Sequence, residues 1–233
     1  MAKGLVGEQM KIICFEGLDG IGKTTLCHKL KGHLEKMGKR VEYLHEPFGH
    51  PELKGETGRA VIKEMSQLFK VQYPYMHFED LEWEYLTSQR LQRTLLDAWQ
   101  EDNDYDYVIL DRGLLSTIVY QFTDIKVDRP QYVSLSQPIE DAKEFTGFKP
   151  YDALFVLNYG LEPTDKEDLN LHRLYRDAYR DFVNPWREWW LGDCEQNLLV
   201  EGAKAFELLE YCPEDRDMNF NRVLSCLKYL ELV

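Results

Sequence analysis

The sequence predicts an α/β fold: a five-stranded parallel sheet covered by helices on both faces, three layers in all. Three observations predict it. Short apolar, β-rich runs alternate with segments of helical spacing along the whole chain. No internal repeat or low-complexity linker interrupts the alternation, so residues 1–233 read as one domain. A chain of 233 residues, 44% of them apolar, can fill a sizeable core.

The first run is "KIICFE", Lys11 to Glu16. A glycine-rich loop follows, then "KTTLCHKLKGHLEKM", where Leu26, Leu30 and Leu34 recur at helical spacing. "RVEYLHEP" is a second strand, ended by Pro47. "GETGRAVIKEMSQLF" and "FEDLEWEYLTSQRLQRTLLDAWQ" are helices, the second with Leu81, Tyr85, Leu91, Leu95 and Trp99 toward one apolar side. After a polar turn, "YVIL" is a third strand that delivers Asp111 and Arg112 to its carboxyl end, and "LLSTIVYQF" is a short helix. "YDALFVLN" is a fourth strand. "LNLHRLYRDAYRDFVNPWREWW" is a helix kinked at Pro185, "NLLVEG" the fifth strand, and "FNRVLSCLKYLEL" the last helix.

Net charge is −13, with 41 acidic against 28 basic residues, which excludes a nucleic-acid backbone as the main partner. A local cationic cluster can still bind a small anion. The five cysteines lack CxxC spacing, and the odd count fits a reducing compartment. The amino terminus has too little apolar run for a signal peptide, and no stretch approaches the roughly 18 apolar residues of a membrane span. A cytoplasmic protein without a membrane partner is expected. The histidines form no metal-ligand spacing, the aspartates at 101–106 lack the spacing of a calcium loop, and "WREWW" reads as packing.

Ligands on parallel sheets sit beyond the carboxyl ends of the strands. There the chain places "GLDGIGKT", which fits G-x-x-x-x-G-K-[ST] with an apolar strand before it and a helix after. Gly17, Gly20 and Gly22 let backbone N–H groups approach phosphates, and the helix start adds its positive end. Lys23 is expected to bridge the terminal phosphates of a nucleoside triphosphate, and Thr24 to ligate Mg²⁺. Asp111 is placed to hold the same metal through water, and Arg112 offers a planar fork for phosphate. Asp19 is an electrostatic misfit among phosphate-binding groups unless it reads something else.

The longer motifs resemble the thymidylate kinase family of P-loop kinases. "FEGLDGIGKTT" is similar to its E-G-x-[DE]-G-x-G-K-[ST]-T. Glu46–Pro47 with "GETGR" resembles R-E-P-G-G-T-x-x-G-E-x-x-R, and "DRGLLSTIVYQ" resembles D-R-Y-x-x-S-x-x-A-Y-Q. The resemblance covers residues 11–122 closely and extends co-linearly to about Phe206. It implies a nucleoside monophosphate kinase that converts Mg·ATP and dTMP, or a related pyrimidine deoxynucleotide, to ADP and the diphosphate. Gly17 to Thr25, Thr25 included, would hold the donor phosphates. Asp19 would accept from the sugar 3′-hydroxyl, and Arg112 would bind the acceptor phosphate. Arg90 would meet the base edge, Tyr120 the sugar, and Gln121 the base pocket. Glu46, Arg59 and Ser116 belong to the matched acceptor motifs. A homodimer is implied as well.

The chain also departs from the family. His45 stands where an arginine is expected, and two residues are inserted between Pro47 and Gly55. Gly113 replaces a tyrosine, which is expected to free space beside the acceptor, and Leu86 falls where a base-stacking aromatic belongs. The lid, about 160–173, is acidic, with Lys166 and Arg173 as its nearest cations. Either they swing in, or a partner subunit supplies the charge. Two other readings use the same residues: a deoxynucleoside kinase with Glu46 as base, and a non-catalytic nucleotide-binding protein.

Overall fold

A computed structural model describes residues 9–18, 20–45, 55–120, 136–159, 177, 205–211 and 216–233. Its sheet has five parallel strands: β1 Lys11–Gly17, β2 Val41–His45, β3 Tyr107–Asp111, β4 Ala153–Tyr159 and β5 Ala205–Tyr211. Their spatial order is β2-β3-β1-β4-β5, which puts β1 at the centre. The described helices are α1 Lys23–Lys36, α2 Gly55–Gln72, α3 Asp80–Asp102, α4 over 114–120, α5 Ser136–Thr146 and α6 Arg216–Tyr229.

Strand side chains alternate between two faces, and both faces are buried. Ile12 and Cys14 of β1, Val108 and Leu110 of β3, and Leu154 and Val156 of β4 join one core with α3 and α5. Ile13 and Phe15, Ile109, and Phe155 and Leu157 join a second core with α1 and α6. This period of two on a doubly covered sheet makes the strands read as continuous apolar runs. α1 buries Leu26, Cys27, Leu30 and Leu34, a one-sided stripe at helical spacing.

Three expectations on elements change. The fifth strand is Ala205–Tyr211, beyond the "NLLVEG" segment at 197–202, which lies outside the described residues. α5 was not expected; its Pro138 stands in the first turn, where a proline forfeits no intrahelical bond. The buried face of α3 is carried by Trp83, Leu86 and Leu96, while Leu81 is 56% exposed. Of the kinked helix expected at 169–190, only residue 177 is described, and it is helical; the rest lies outside the described residues. Among those described, no helix is long and apolar enough to cross a membrane.

Candidate active site

The register of the sheet lines up the groups that the sequence delivers. Phe15 of β1 and His45 of β2 both pair with Asp111 of β3, so three strand ends meet at one edge. β1 closes on Gly17, whose φ of +131° no other residue adopts easily. Gly22, at φ 93°, then turns the chain into α1. Gly20, Gly22, Lys23, Thr24 and Thr25 line a cavity of about 270 Å³. His45, Asp111 and Arg112 line the same cavity.

Lys23 is buried, and its Nζ donates to the carbonyl of Leu18 at 2.5 Å, inside the loop. The Thr24 hydroxyl donates to Asp111 Oδ2 at 2.5 Å. That same oxygen accepts the Tyr43 hydroxyl at 3.0 Å and lies 3.0 Å from His45 Nδ1. Asp111 Oδ1, fully buried, has no hydrogen-bond partner. Burial and the neighbouring Asp111 charge push the Tyr43 phenol well above its ordinary range, so it stays a donor. Sequence reasoning passed over Tyr43, whose only signal is its place two residues before the end of β2.

Arg112 is almost fully buried and adopts φ 80°, a conformation uncommon outside glycine. Its backbone N–H donates to the carbonyl of Phe15 at 2.9 Å. Its Nη1 donates to Ser116 Oγ at 3.1 Å and its Nη2 to the Tyr120 hydroxyl at 3.5 Å, with the guanidinium 5.1 Å from the Tyr120 ring centroid. Arg112, Ser116 and Tyr120 are therefore brought together. The Ser116 hydroxyl itself donates to the buried Glu16 carboxylate. Burial pushes the Glu16 carboxyl upward, opposed by Ser116 and the Arg112 charge.

The other expected acceptor residues are dispersed. Arg90 lies on α3, donating to the carbonyl of Phe145 at 2.7 Å, with its guanidinium 5.0 Å from the Phe69 and Phe145 rings. Leu86, one turn earlier, is buried in the core. Arg59 is exposed on α2. Asp19, Glu46, Gln121, Lys166 and Arg173 lie outside the described residues.

The expectation of free space at Gly113 is corrected. A Cβ there would sit 2.3 Å from the Tyr151 hydroxyl and 3.1 Å from Cys14 Sγ. Tyr151 fills that volume and accepts the Leu114 N–H at 3.2 Å. Gly113→Ala should therefore destabilise the fold by about 1–3 kcal/mol through overpacking. The penalty should shrink in a Tyr151→Phe background, which removes the colliding oxygen; equal penalties in urea unfolding of both backgrounds would refute the collision.

A family model of thymidylate kinase matches residues 15–190. The chain is 34% identical over 184 residues to a thymidylate kinase of Chlorobaculum tepidum, covering 72% of this chain and 81% of that one. It is 31% identical over 110 residues to a thymidylate kinase of Chlorobaculum parvum, covering 47% of this chain and 46% of that one. A crystal structure of thymidylate kinase from Ehrlichia chaffeensis superposes with a TM-score of 0.60 at 20% identity, over 94% of this chain and 99% of that one, which shows a shared fold. The family match runs from the end of β1 past β4 and so takes in the loop, the cavity and the Arg112 turn. The chain belongs to the thymidylate kinase family of ATP-dependent phosphotransferases, nucleoside monophosphate kinases by activity.

Proposed function

We propose that this protein transfers the γ-phosphoryl group of Mg·ATP to dTMP, or to a closely related pyrimidine deoxynucleoside monophosphate, to give the diphosphate. The observation that carries the reading is the cavity at the strand ends, where Lys23, Thr24, Asp111 and Arg112 converge. Phosphoryl transfer to a phosphate needs no protein base, because the acceptor is already anionic near neutral pH. Positioning and charge neutralisation are what the protein must supply, and two cations lining one cavity, Lys23 and Arg112, are suited to supply both. Lys23 and the loop from Gly17 to Thr25 take the donor phosphates, and Arg112 takes the acceptor phosphate and the transferring group.

The oxygen set suits magnesium. Mg²⁺ is usually held by one or two protein oxygens, substrate phosphates and water. The Thr24 hydroxyl lies beside an Asp111 carboxylate whose Oδ1 has no partner, which fits that demand. Bound there, the metal would neutralise charge between donor phosphates. Among the described residues no group of three or more His, Cys, Asp or Glu side chains could hold a metal unaided.

The rest of the reading rests on the family. Asp19 takes the sugar 3′-hydroxyl, Arg90, Tyr120 and Gln121 the nucleoside, and the segment about 160–173, with Lys166 and Arg173, closes as the lid of a single cytoplasmic domain. Exposed Leu68 and Val71 on α2 and Leu81 on α3 support a homodimer, which light scattering tests as a doubled mass.

Incubation with Mg·ATP and a panel of nucleosides and monophosphates, read as ADP release, tests the proposal. Turnover is expected with dTMP; none with any monophosphate would sink it. Turnover with thymidine, abolished in Glu46→Gln, would instead mark a nucleoside kinase.

A further inference from the structure

Glu16 stands behind the site and not in it. It is the second-last residue of β1, is fully buried, and lies outside the set of residues lining the phosphate cavity. A buried carboxylate is costly unless its oxygens are matched. Here they are matched by the turn that carries Arg112. Oε1 accepts the Gly113 N–H at 2.8 Å and the Ser116 N–H at 3.3 Å, and Oε2 accepts the Ser116 hydroxyl.

Those bonds dictate the orientation of the next group. A serine hydroxyl has one proton and two lone pairs. With the proton committed to Glu16, the oxygen presents lone pairs to Arg112 Nη1, 3.1 Å away. The negative charge behind Ser116 strengthens it as an acceptor along this chain of bonds. Tyr120 fixes the other branch of the fork from its hydroxyl and ring face. The Arg112 backbone, at φ 80°, is a conformation that persists only where its surroundings over-determine it. Glu16 clamps the residue after Arg112 at Gly113, while the adjacent Phe15 carbonyl holds Arg112 N itself.

We propose that Glu16 is a positioning residue for phosphoryl transfer. Through Ser116 it aims the Arg112 guanidinium at the cavity, and its charge, behind the fork, keeps that guanidinium oriented when no phosphate is present. This inference rests on the assignment of Arg112 to the acceptor and transferring phosphates, and it adds a residue that does not touch substrate. Burial raises the Glu16 carboxyl, and the Ser116 hydrogen bond and the Arg112 charge lower it in part.

The test compares Glu16→Gln, which keeps the shape and removes the charge, with Ser116→Ala, which keeps the charge and removes the link. Turnover with dTMP, normalised to the folded fraction, should fall about 10- to 100-fold in Glu16→Gln, as expected for a misaimed catalytic group. Ser116→Ala should fall in the same direction, and the double variant should be no worse than Glu16→Gln alone. KM for ATP should stay within about twofold of the parent, because the Lys23 loop is untouched. A merely structural role would lower the melting temperature and leave normalised turnover unchanged, and that result overturns the proposal. A second readout does not depend on the acceptor's identity. The Arg112 Nε–H resonance, assigned by its loss in Arg112→Lys, should be a single sharp line in the parent and broaden or shift in Glu16→Gln. A resonance unchanged in Glu16→Gln overturns the positioning role even if the parent phosphorylates nothing in the panel; absence of parent turnover alone overturns the reaction assignment.

Discussion

Lys23→Ala is expected to lower turnover about 10²- to 10³-fold, equivalent to about 2.7–4 kcal/mol of transition-state stabilisation, while leaving the protein folded. Lys23 opens α1, directly after the left-handed Gly22, at the positive end of the helix. It is only 5% exposed, and its ammonium is held by the Leu18 carbonyl of the same loop. The charge is therefore already inside the cavity before a nucleotide arrives. Binding phosphate exchanges one oxygen acceptor for another and requires no large movement, which is the sense in which the site is preorganised. The alanine variant loses that charge together with the hydrogen bond to Leu18, worth about 1 kcal/mol of stability. Melting should thus shift little while turnover collapses. Lys23→Arg should not restore activity, since a planar fork cannot occupy the position of a compact ammonium in so tight a loop. Steady-state kinetics with ATP as the varied substrate check this. Turnover within tenfold of the parent would remove Lys23 from the mechanism. The pattern also differs from that expected at Glu16, because here the ATP side of the kinetics must change.

What the sequence revealed and what it hid follow from the range of the forces involved. Strands one to four and the first three helices were legible, because apolar period and turn residues are local. The arrival of Asp111 and Arg112 beside the glycine loop was legible too, since strand ends on a parallel sheet share one edge. Pairings between distant residues were not. Gly113 read as vacated space, yet Tyr151, 38 positions later, occupies it. Tyr43 and His45 converge on one oxygen of Asp111, but neither residue type announces a carboxylate partner across strands. Glu16 sits in an apolar strand, where a lone acid could as easily have met solvent. Only the placement of α4 against β1 shows that it closes a chain of bonds to Arg112. Arg90 illustrates a half-success. The helix and the position were legible, whereas its packing between Phe69 and Phe145 joins α2, α3 and α5, the last of which was not read from the sequence.

Gly17→Ala should be the most destabilising substitution in the loop, whatever nucleotide the site takes. Gly17 is the last residue of β1 and pairs with Leu157 of β4. Its φ of +131° carries a strain of order 1–3 kcal/mol for any residue with a Cβ. An added Cβ would also lie 2.3 Å from the Leu157 carbonyl oxygen, 3.2 Å from its carbon and 3.3 Å from its nitrogen. All three atoms are backbone, and β4 is hydrogen-bonded to β1 on one side and β5 on the other. No flexible side chain can swing aside, so either β1 and β4 separate locally or the loop rotates away from α1. Overpacking of this kind adds about 1–3 kcal/mol to the strain, a sum comparable with a large part of an ordinary domain's stability of about 5–15 kcal/mol. Gly20 supplies the control. Its φ is also positive, at 72°, but nothing lies within 4 Å of a Cβ built there. Gly20→Ala should therefore cost only the conformational strain, about 1–2 kcal/mol. Urea unfolding of the two variants isolates the collision from the backbone term. Equal losses at both positions would mean that the close approach of β4 to the loop is not what requires glycine at position 17.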